Sequence, residues 1–108
     1  MKTKENKSFF LLQFGDTPQL RVLDFLIGFH FFDYPITEIA KESNVSYNSI
    51  KIFFPEFIKS GIICKTRKVG KSDYYQLNMK SEFVKNLVKL DWMLTKKNVL
   101  QENESIRA

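Results

Sequence analysis

Two short amphipathic segments held only four residues apart constrain this chain more than any other feature of it. Ile36 precedes Thr37-Glu38-Ile39-Ala40-Lys41-Glu42-Ser43, in which Ile39 and Ala40 share an inward face. Ser46 precedes a second segment, Tyr47 to about Ser60, where Ile50, Phe53, Phe57 and Ile58 recur at three- and four-residue spacing. Thr37 and Ser46 are residues that cap helix starts, because their hydroxyls accept from free backbone amides. Asn44 tolerates the left-handed conformation that closes a helix, and Val45 supplies the apolar contact just beyond it. A tight turn follows, and the two segments form a helix-turn-helix.

The flanking sequence builds on this pair. Thr17-Pro18 starts an earlier helix, roughly Pro18 to His30, with Leu20, Leu23, Ile27 and Phe31 on one stripe, and Asp33-Tyr34-Pro35 ends it. Gly61 stops the second helix of the pair, after which the period shortens to that of strands. Ile62 to Arg67 and Asp73 to Leu77, joined by a turn containing Gly70, read as a β-hairpin. Ser81 caps a last helix with Phe83, Leu87, Leu90 and Leu94 on one stripe and Val84, Val88 and Trp92 beside it. Ser8 to Phe14 has no clean helical period and reads as a strand or arm, and Gln101 to Ala108 as a frayed end. Phe25, Phe29, Phe31, Phe32, Phe53, Phe54 and Phe57 read as core.

Whole classes of function are excluded by what the chain lacks. Its 108 residues make one domain, and no apolar run approaches the ~18 residues needed to cross a bilayer. Met1 to Lys7 is polar and leads into no signal-peptide core, so the expected location is cytoplasmic. One cysteine, Cys64, and one histidine, His30, supply neither a disulfide nor a zinc site. No base stands near a nucleophile and no carboxylate pair has active-site spacing, so the chain reads as a non-enzyme without metal or cofactor. Gly15, Gly28, Gly61 and Gly70 are scattered and match neither phosphate-binding fingerprint.

Charge is divided unevenly. Gly15 to Ile58 holds three bases and six acids, whereas Lys59 to Lys97 holds ten bases and three acids. Lys59 to Lys71 alone carries five bases and no acid, a local field that attracts phosphates. That basic cluster falls mainly on the hairpin, immediately after the helix-turn-helix, and a polyanion partner is the expectation.

Helix, helix, turn, helix and basic hairpin is the order of a winged helix-turn-helix. Phe14-Gly15-Asp16-Thr17-Pro18 leading into Arg21-Val22-Leu23-Asp24-Phe25-Leu26 resembles a group of small archaeal winged-helix transcriptional regulators. So do Ile36 to Ser46, and Lys59-Ser60-Gly61-Ile62-Ile63 with Lys65 to Gly70. The resemblance covers roughly Phe14 to Leu94 and implies a mainly α, α+β fold with a β-hairpin wing and an additional C-terminal dimerisation helix. It divides the chain into an arm or strand (1–13), a winged helix-turn-helix (14–80), a dimerisation helix (81–98) and a flexible tail (99–108).

The activity implied is sequence-specific binding of double-stranded DNA by a homodimeric transcriptional regulator. Its second motif helix would lie in the major groove and its wing on the backbone. Carried over by position, Ser46, Tyr47, Asn48 and Ser49 open the recognition helix, where Asn48 can read a base edge, and Lys51 follows one turn on. Arg67, Lys68, Lys71 and Ser72 fall on the wing, and Thr37 adds a backbone contact. Phe83, Leu87, Leu90, Trp92 and Leu94 would form the dimer seam. Nothing in the chain indicates a small-molecule effector.

Two positions depart from the pattern: Ile52 stands where relatives often carry a base, and Pro55 lies inside the recognition helix, where a kink is expected. These support an alternative, a winged-helix protein-interaction module or DNA-partition adaptor that grips its partner with Ile52, Phe54 and the kinked helix.

Overall fold

The computed structural model describes residues 8–107, with side chains as far as Lys97; Met1 to Lys7 and Ala108 lie outside the described residues. The elements run α1 (Phe9–Phe14), α2 (Pro18–Gly28), β1 (Tyr34–Pro35), α3 (Ile36–Glu42), α4 (Tyr47–Lys59), β2 (Ile63–Val69), β3 (Ser72–Leu77) and α5 (Glu82–Arg107). This is an α+β domain with a three-stranded antiparallel sheet in the order β1-β3-β2. Among the described residues no helix is long and apolar enough to cross a membrane.

Hydroxyl caps set most helix starts. Ser8 accepts from the Leu11 amide, Thr17 from Leu20, Ser46 from Ser49 and Ser81 from Val84. α3 is the exception and corrects the reading of Thr37 as a cap. Pro35 pairs with Tyr74 in the sheet, so the helix begins directly after it at Ile36, without a side-chain cap, and Thr37 falls inside the first turn. Asn44, at φ 57°, is the only non-glycine residue with positive φ among those described, as a left-handed closing residue requires. The Val45 amide then bonds the Ala40 carbonyl at 2.9 Å and its side chain is buried.

One core joins all these elements. Val22 and Leu26 of α2, Ile39 of α3, Ile50 and Phe54 of α4, Ile63 and Leu77 of the hairpin and Val84 of α5 are buried together. Phe54 meets Tyr75 edge-on with ring centroids 5.0 Å apart, which seats α4 against β3. Full burial of such side chains contributes about 1.5–3 kcal/mol each, far more than any surface pair in the molecule.

Four expectations are corrected. The segment from Phe9 to Phe14 is a helix rather than a strand: Ser8 caps it, Phe10 and Leu11 turn inward, and it packs on α2 and α5. α2 stops at Gly28, two residues short of His30, so the helical stripe never reaches Phe31. Phe29, Phe31 and Phe32 are consequently exposed, Phe31 at 79%, and are not core; Phe25, Phe53 and Phe57 pack half-buried at its edge. α5 continues through the expected tail to Arg107, because nothing between Lys96 and Arg107 breaks a helix: the stretch has neither Gly nor Pro.

Candidate nucleic-acid interface

α4 has two faces of opposite character. Ile50 and Phe54 are buried, whereas Asn48, Ile52, Pro55 and Lys59, spaced four, three and four residues apart, form an exposed ridge on the far side. Tyr47 and Lys51 flank it, and the Lys51 ammonium lies 4.9 Å from the centre of the Tyr47 ring. At the start of the helix the Ser46 hydroxyl accepts from the Ser49 amide at 3.1 Å and donates to the Ser49 hydroxyl at 2.9 Å. The Ser46 hydroxyl is thereby committed to the cap, with that of Ser49 accepting from it.

The helix is continuous through Pro55. Proline removes the amide that would bond the Lys51 carbonyl, but both Lys51 and Pro55 are exposed, so the lost bond falls on the solvent side of the helix rather than in the core. Phe54 is only 1% exposed, which removes it from any partner contact and leaves Ile52, at 82%, as the apolar side chain of the ridge proper.

The hairpin is longer and more tightly turned than its sequence suggests. β2 runs to Val69, Val69 pairs with Ser72, and Gly70-Lys71 makes the turn with positive φ (61°) at the glycine alone, the arrangement of a type II′ turn. Register shifts between Lys65 and Arg67, so Thr66 is an extra residue in β2, a bulge.

An anchor occupies that bulge. The Arg67 guanidinium donates to both oxygens of Asp33, at 2.9 and 3.1 Å, and the Thr66 hydroxyl donates to the same carboxylate at 2.6 Å. The guanidinium carbon lies 4.5 Å from the centre of the Tyr74 ring. Hydrogen bonds from Arg67, then from Thr66, hold the Asp33 pKa below the ordinary carboxylate value. Asp33 comes from the corner between α2 and β1, so the hairpin is tied to that corner. Lys65 and Lys68 share Asp73, at 3.3 and 3.5 Å, and the Lys65 hydrogen bond leads the lowering of the Asp73 pKa. Lys71 makes no ion pair among the described residues and, with Ser72, is exposed at the hairpin tip.

The structure thus brings Tyr47, Asn48 and Lys51 to one surface of α4, and Lys68, Lys71 and Ser72 to the hairpin. Arg67 is engaged within the protein, and Thr37 is exposed on the first turn of α3. Arg21 was not anticipated. Its guanidinium pairs with Asp16 at 3.2 Å and donates to the Asn44 carbonyl at 3.1 Å, clamping the turn between α3 and α4 from α2. The one hint in the sequence is that Arg21 is a base in the acidic half of the chain, for which the helical stripe has no use.

On α5, Phe83, Leu87, Leu90 and Leu94 recur at four, three and four residues and lie on one side. Phe83 and Leu90 are exposed, and Leu87 and Leu94 are half-buried. Trp92, two positions from Leu90 and from Leu94, is exposed on another side and stands off this stripe. No family model, curated protein or solved structure matches the chain.

Proposed function

We propose that this chain is a winged helix-turn-helix protein that binds double-stranded DNA as a homodimer and regulates transcription by occupying a two-fold symmetric site, without enzymatic activity or cofactor. The observation that carries this reading is the ridge of α4. A helix buried on one side against the sheet presents Asn48, Ile52 and Lys59 outward, one short connection from a hairpin whose tip carries Lys71. A helix of this breadth fits the major groove, and a cationic hairpin beside it meets phosphates. The α5 stripe of Phe83, Leu87, Leu90 and Leu94 supplies the dimer seam, as spacing of this kind does in paired helices. Against a partner-protein reading, the burial of Phe54 leaves Ile52 with no large apolar neighbour on its own ridge.

Binding of the full chain to random-sequence and genomic duplexes at two salt concentrations, with selection from the tighter condition, tests the proposal. Salt-sensitive binding with one enriched two-fold symmetric motif is the expected result. Binding without enrichment points to a partition role, and no binding at low salt overturns the reading. Sedimentation tests the seam: a monomer at micromolar concentration contradicts it.

A further inference from the structure

Ile52 is the most exposed large apolar side chain among those described, and it stands in the middle of a polar ridge. Asn48 precedes it by one turn, Lys51 and Glu56 flank it, and Pro55 and Lys59 follow. Lysine stems usually lie over neighbouring apolar surface, but the Lys51 ammonium sits 4.9 Å from the Tyr47 ring, drawn back toward the helix start. Of the apolar side chains around it, Ile50 and Phe54 are turned into the core, Phe53 is half-buried against it, and Pro55 adds only a small ring to the same ridge. Ile52 is therefore the one large apolar side chain on a ridge otherwise made of Asn48, Pro55 and Lys59, whereas the core of a protein interface is a contiguous apolar patch.

A point of this kind has a direct counterpart in the major groove. Each base pair there offers hydrogen-bonding groups, and thymine alone adds a methyl group. We infer that Ile52 is a specificity-determining residue that packs on a thymine methyl, in concert with Asn48 hydrogen-bonding an adenine. This rests on the DNA-binding reading and deepens it by naming what is read. Four residues of helix advance about 6 Å, roughly two base steps, so the adenine and the thymine lie within about two pairs of each other in every half-site.

Deoxyuridine tests this, because it pairs as thymine does and lacks only the 5-methyl group. Each thymine of the selected duplex is replaced singly, and the affinity of the full chain and of its Ile52→Ala variant is measured. The expected result is one thymine per half-site whose replacement weakens the native chain about fourfold, the weight of one buried methyl group. Ile52→Ala should be insensitive to replacement at that position and respond as the native chain does elsewhere. Site-specific binding that is indifferent to every methyl, or a sensitive thymine that stays sensitive in Ile52→Ala, overturns the Ile52 assignment and leaves DNA binding standing. Duplex binding without an enriched site, or no duplex binding at low salt, overturns the assignment as well, the last together with the DNA-binding reading itself.

Discussion

The hairpin and α4 present the same candidate surface by opposite means. The hairpin is rich in charge, yet most of that charge is spent inside the protein: Arg67 on Asp33, Lys65 and Lys68 on Asp73. α4 is poor in charge, yet its outward side chains are exposed and, past the cap, uncommitted to the rest of the fold. A count of cations along the chain therefore overstates what the hairpin offers a phosphate and understates what α4 offers a base. Position relative to carboxylates elsewhere in the chain decides availability.

The sharpest way to break this contrast lies within α4. Phe54→Ala empties a fully buried site and should destabilise the protein by about 3–5 kcal/mol, whereas Ile52→Ala should change stability by no more than about 0.5 kcal/mol. Urea unfolding followed by far-ultraviolet dichroism gives both numbers. Comparable losses for the two variants would mean that the outward ridge is not outward.

The hairpin gives the next largest effect. Arg67→Ala should destabilise the fold at neutral pH by much less than Phe54→Ala and by more than removal of a single-point surface pair, since the fork to Asp33 is bidentate but solvent-screened. Arg67→Lys should recover little of it, since an ammonium cannot match the fork that Asp33 accepts. The pH dependence follows from the direction of the Asp33 shift. Its folded pKa lies below its unfolded value, so the contribution is fully present above about pH 4 and disappears as pH falls through the folded pKa. Native and Arg67→Ala chains should therefore converge in stability in acid. A constant gap from neutral pH down to acid would assign Arg67 some other role.

How far the sequence could lead is set by the distance over which each feature is encoded. Local signals were legible: Ser46 and Ser81 cap where their spacing implies, Asn44 takes the left-handed turn, and Gly61 ends α4 with φ at 82°. The hairpin also follows from the change of period after Gly61. What depends on residues far apart was not. Asp33 reads as part of a helix stop, and only the fold carries it to Arg67, 34 positions away. The same reach hides β1, since two residues cannot show alternation and Tyr34-Pro35 becomes a strand only by pairing with β3. Phe31 fails for a related reason: helical spacing continued past the point where the backbone had left the helix. On α4 the sequence placed Phe54 in the core and only the alternative reading set it beside Ile52 as a contact; packing against Tyr75 bears out the core placement and separates the two.

The smallest expected effect discriminates most finely between engaged and available charge. Lys68 and Lys71 both belong to the hairpin and both are exposed, but Lys68 lies 3.5 Å from the Asp73 carboxylate and Lys71 occupies the turn without an ion pair among the described residues. Neither substitution by alanine should move stability beyond about 0.5 kcal/mol, so duplex affinity can be compared directly. A lysine that neutralises a phosphate releases a counterion, and its removal lowers the salt slope by about 1. Lys71→Ala should show that full decrement, uniformly across duplex sequences. Lys68→Ala should show less, because Asp73 already holds part of its charge and is left to Lys65 when Lys68 is removed. Measuring log affinity against log salt for the native chain and both variants decides it: equal decrements would mean that a phosphate draws Lys68 away from Asp73 and that the hairpin's internal pairs do not limit what it offers DNA.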